Sequence, residues 1–98
     1  MADRKEWVEK TKAKIDEWDR TVGEFEERMS TVSDEARAEY QERLAVAKRH
    51  LAGARGDLTR AREAGSDRWK ELEKDVTETW KTTRNMLERS LEELRKVS

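Results

Sequence analysis

Apolar residues in this chain return at alternating steps of three and four, and few folds accept such a stripe. From Val8 the series runs through Thr11, Ile15, Trp18, Val22, Phe25, Met29 and Val32. Strand side chains alternate with period two, so no strand keeps this pattern. A heptad seam along a helix does. A second series, Tyr40, Leu44, Ala47, Leu51, Ala54, Leu58 and Ala61, reads Leu-x-x-Ala through three heptads. A third, Trp69, Leu72, Val76, Trp80, Thr83, Leu87, Leu91 and Leu94, falls into 11-residue blocks that suit a nearly straight helix.

Between the series the phase slips by one step of four, through Met29, Val32, Ala36 and Tyr40, and again through Ala61, Gly65 and Trp69. At the first slip, Ser30 to Asp34 are poor helix formers and good N-caps, followed by Asp34 and Glu35 in a first turn. With no Gly or Pro there, a continuous helix is the other option. At the second, Gly65-Ser66-Asp67 reads as a C′ glycine followed by an N-cap serine. The pattern therefore predicts an all-α chain: one helical bundle domain over 1–98, with helices at about 4–29, 34–64 and 67–96. Short connections between such helices give an up-down-up three-helix antiparallel coiled-coil bundle. The alternative is a long helical hairpin or rod completed by self-association.

The four tryptophans sharpen this picture. Trp7 and Trp18 are 11 apart, as are Trp69 and Trp80. With the first and third helices parallel, Trp7 and Trp69 share one layer and Trp18 and Trp80 the next, about 16 Å along. Leu44, Leu51 and Leu58 supply the middle helix's large side chains, while Ala47, Gly53, Ala54, Gly56 and Ala61 leave room for indoles. These tryptophans and leucines are the candidate packing and interaction residues. Trp18 and Trp80 are expected to be the better-buried pair, with Trp7 at the rim. Large apolar side chains are few, so a lone bundle is marginal and self-association a natural remedy.

Charged residues make up 46% of the chain, yet its net charge is −1. Residues 16–42 carry −7 and residues 43–70 carry +5. Complementary faces of neighbouring helices account for this; a basic strip for lipid or RNA would be contested by its acidic neighbours. Near-zero net charge argues against nucleic acid as a partner. The start of the chain has no signal-peptide character, and no apolar run approaches a spanning length, so the expected location is cytoplasmic.

The chemistry-bearing patterns are missing. There is no Cys, which excludes disulfide, redox and thiolate metal sites. His50, the one histidine, has Val46, Ala47, Gly53 and Ala54 at its helical neighbour positions, so no helical His–carboxylate metal pair exists. The acidic clusters lack a calcium loop's glycine and alternating oxygens, and no nucleophile elbow or phosphate-cradling loop occurs. The expectation is no enzyme, no cofactor and no metal.

The segments Trp-Val-Glu-Lys-Thr-Lys-Ala-Lys-Ile-Asp-Glu-Trp (7–18), Glu-Ala-Arg-Ala-Glu-Tyr (35–40), Ala-Lys-Arg (47–49) and Ala-Gly-Ser-Asp-Arg-Trp-Lys-Glu-Leu (64–72) resemble a family of small bacterial coiled-coil stress-response proteins. The resemblance implies a cytoplasmic interaction protein and no reaction. Taken together, the expectation is a coiled-coil scaffold or protective protein that self-associates or binds a helical protein. The alternative is an amphipathic binder of membrane surfaces.

Overall fold

The computed structural model describes residues 4–97, apart from the side chain of Ser66. Helix α1 spans Arg4–Arg28 and a single 3₁₀ turn follows at Met29–Thr31. Helix α2 spans Asp34–Glu63 and α3 spans Ser66–Val97. The described residues contain no strand. The helices form an all-α three-helix bundle measuring 52 × 18 × 18 Å.

The first break is a true turn, made without Gly or Pro. Ser30 and Thr31 donate their hydroxyls to the carbonyls of Glu27 and Arg28, which local serines and threonines do readily at the expense of helix continuation. Val32 is extended (φ −75°, ψ 139°). Ser33 then caps α2, its Oγ accepting the Ala36 N–H at 3.3 Å.

The second break departs from expectation. No glycine has a positive φ, so Gly65 is not a left-handed C′ residue. Ala64 turns the chain instead, with an extended backbone (φ −70°, ψ 131°) and its N–H bonded to the Arg60 carbonyl. The Gly65 carbonyl accepts the Trp69 N–H at 2.8 Å, the role of an N-cap carbonyl. An extended residue reverses the chain without a left-handed step, and the buried Ala64 methyl holds it against the core. The cap expected from the Ser66 hydroxyl lies outside the described side chains.

Pairings across the helices establish their directions. Asp19 pairs with Arg55, and Glu26 with Lys48 at 2.6 Å, so α1 and α2 are antiparallel. Arg43 pairs with Glu93 at 2.6 Å, and Arg60 with Asp75 at 2.9 Å, so α2 and α3 are antiparallel. In every case the base stands on α2. Part of the charge asymmetry between residues 16–42 and 43–70 is thus spent inside the bundle.

All seven residues of the second apolar series are buried, as are Ile15, Trp18, Val22, Phe25 and Val32 of the first and Trp69, Val76, Trp80, Leu87, Leu91 and Leu94 of the third. Helices α2 and α3 approach along their length, whereas α1 and α3 come close at few points. Side-chain size explains the difference: alanines at 47, 54 and 61 permit close backbones, and indoles hold α1 and α3 apart.

Two of the small residues expected to house indoles do not. Gly53 and Gly56 are both exposed; Gly53 lies at the edge facing Thr83 of α3, and Gly56 faces open space. A Cβ at Gly56 would meet nothing within 4 Å, and the same holds at Gly23 in α1. Glycine in a helix interior costs about 0.5–1 kcal/mol relative to alanine. Gly23→Ala and Gly56→Ala are therefore each expected to stabilise the bundle by about that amount, read as a higher denaturant midpoint at unchanged slope.

Candidate functional site

The interior between α1 and α3 holds a ladder of indoles. Trp69 meets Trp7 with ring centroids 5.5 Å apart, Trp7 meets Trp80 at 6.0 Å, and Trp80 meets Trp18 at 5.4 Å. The tilted and edge-on orientations suit the ring quadrupoles. The expected partners are in contact, but the two layers are not separate. Trp7 lies between the rings of Trp69 and Trp80 and touches both, so it links the two layers. Trp18, Trp69 and Trp80 are buried at 4%, 5% and 8% exposure. Trp7 is half-buried at the rim, and the Lys14 ammonium lies 5.5 Å from the Trp18 ring. Leu44, Leu51 and Leu58 are buried in the same interior. These residues pack the chain against itself, and only Trp7 reaches the surface to any extent.

A second seam runs between α2 and α3, and it is polar. Arg43 bridges Glu39 on its own helix and Glu93 on α3. Beside it lies a shallow groove of about 380 Å³, lined by Glu39, Glu42, Arg43, Val46, Ser90 and Glu93. Further along, a Cβ at Gly53 would lie 3.8 Å from the Thr83 methyl. Asp57 is next on α2, buried at 5% exposure, and its Oδ2 is enclosed without a hydrogen-bond partner. The Arg60–Asp75 pair closes this end. Burial pushes the Asp57 carboxyl above the usual carboxylate range; Arg60 and the Thr83 hydroxyl oppose the shift, and Asp75 adds to it.

The spacing reading missed Asp57 and Ser90, and the signal for both was present. A helix that packs against two others needs a wider stripe than one heptad seam. The step from Ala54 to Ala61 passes as well through Asp57 as through Leu58. Likewise, the step from Leu87 to Leu94 passes through Ser90 or Leu91.

His50 is half-buried on α2. Among the described residues, no group of three His, Cys, Asp or Glu side chains is placed to hold a metal ion. No described helix is long and apolar enough to cross a membrane. The chain matches no family model, no curated protein and no solved structure.

Proposed function

We propose that this chain is a non-enzymatic coiled-coil interaction protein: a closed, charged bundle acting in the cytoplasm as a scaffold or protective partner for another helical protein. One observation carries the reading. The apolar stripes are consumed within the chain, and among the described residues Met86 is the one exposed large hydrophobic side chain. Recognition then falls to charged outer faces, which give specificity and fast encounter more than affinity. Because the chain covers its own seams, a different helical protein is a better partner than a second copy. The stress-protective role rests on the resemblance of the 7–18 and 64–72 segments. With three indoles buried in the closed bundle, lipid binding would require the helices to open.

Site-specific photo-crosslinking in the source cell tests this, with the probe placed in turn at Lys12, Arg49 and Arg84. The expected result is a discrete protein adduct from one of these faces and not from all, lost when charges beside the probe are reversed. Flotation with phosphatidylglycerol vesicles is expected to leave the protein unbound. No discrete adduct from any face, or co-flotation with a shift in tryptophan emission, overturns the reading.

A further inference from the structure

We infer that Asp57 is a proton-operated clamp in the α2–α3 seam, the neutral acid closing the seam and the carboxylate loosening it. The placement is unusual for an aspartate. It is buried beside Thr83 of α3, and one carboxylate oxygen is sealed from solvent with no donor. Its surroundings do not neutralise it. From its own helix comes Arg60, already committed to Asp75 at 2.9 Å. From α3 come the Thr83 hydroxyl and the like charge of Asp75, and no group of α1 acts on it. A buried ion without a dedicated partner is strongly penalised, whereas the neutral acid is not. Relief without a proton requires Asp57 to reach water, and its burial against Thr83 of α3 means the helices must part for that.

The direction of the pH dependence follows. In the unfolded chain an aspartate titrates near pH ~3.9. In the bundle Asp57 holds its proton to higher pH, so the folded state takes up the proton first as pH falls. The penalty is complete above the folded value and is removed as pH falls toward the unfolded one. Glu6 and Asp16 act oppositely: Lys10 and Lys12 hold their carboxyls below the usual range, so the stability those pairs give is lost with acid. A comparison of variants cancels them.

Thermal melts of the parent, Asp57→Asn and Asp57→Leu at neutral pH and near pH ~4 provide the test. Both variants are expected to melt about 4–8 °C above the parent at neutral pH, with the gap at least halved near the lower pH. Hydrogen exchange around Asp57 and Thr83, corrected for intrinsic rates, is expected to slow on acidification in the parent and stay unchanged in Asp57→Asn. Should the variants misfold, carboxyl-carbon NMR of the parent still decides, with an expected Asp57 midpoint above the ordinary aspartate range. A constant gap, variants melting below the parent at neutral pH, or a midpoint in or below the ordinary range overturns the inference.

Discussion

Trp80→Ala is expected to cost about 3–5 kcal/mol, the usual loss for a buried ring replaced by a methyl. Trp80 joins the two halves of the ladder, touching both Trp7 and Trp18, so its removal strips ring contacts from two neighbours and opens a void between α1 and α3. Those helices meet at few other points, and little else can close the gap. The loss is a large fraction of the roughly 5–15 kcal/mol that holds an ordinary domain together. Helicity followed by far-UV circular dichroism should melt well below the parent, by more than about 12 °C for a chain of this size. Trp18→Ala should follow closely, being buried but in ring contact with Trp80 alone within the ladder. Trp7→Ala should cost less, since Trp7 is half in solvent. If Trp7→Ala proves the most damaging, burial does not set the order of the rungs, since Trp7 also touches two rings of α3.

The stripe made the helices legible because burial on one face forces the 3/4 spacing. Helix ends at Arg28, Asp34, Glu63 and Ser66 lie within one residue of those read from caps and phase slips. What stayed hidden has physical causes. At Gly65 the sequence admits a left-handed cap, but the buried Ala64 methyl favours an extended turn that leaves glycine's freedom unused. At Gly53 and Gly56 small size suggested a place for indoles. Size does not tell which side of a helix faces which neighbour. Asp57 was hidden because charge alone says surface, and only the second contact face of α2 brings it inside.

The charge pattern was readable in outline and not in pairing. The acidic stretch does meet the basic one, as Asp19 with Arg55 and Glu26 with Lys48. Within α1, however, Asp16 turns to Lys12 at 2.8 Å rather than to Arg20, which follows it at the same spacing. These pairs are exposed, and exposed pairs add little to stability. Their larger effect is on register and direction, since antiparallel α1 and α2 bring acid opposite base.

Tyr40→Ala is expected to destabilise the bundle by about 3–5 kcal/mol, and Tyr40→Phe by only about 0.5–1.5 kcal/mol. Tyr40 is fully buried and stands nearly two turns into α2. Its ring packs edge-on against Phe25 at 6.5 Å, and its hydroxyl donates to the Phe25 carbonyl at 2.5 Å. The last turn of a helix has carbonyls that lack backbone donors. In α1 the hydroxyls of Tyr40, Ser30 and Thr31 serve Phe25, Glu27 and Arg28. Tyr40 is the one among them that comes from another helix, so it fixes the angle at which α2 returns. The alanine variant loses ring and hydroxyl together; the phenylalanine variant keeps the ring and isolates the hydrogen bond. Urea unfolding should show both at unchanged slope. Burial also pushes the Tyr40 phenol above its ordinary value. The folded chain therefore holds that proton more tightly, and the resulting stability is complete below pH ~10 and is lost as pH rises through the folded value. The parent should thus unfold more steeply in alkali than Tyr40→Phe, which has no phenol to ionise. Equal costs for the two substitutions, or parallel alkaline profiles, would mean that the hydroxyl and not the ring anchors the turn, or that the phenol reaches water.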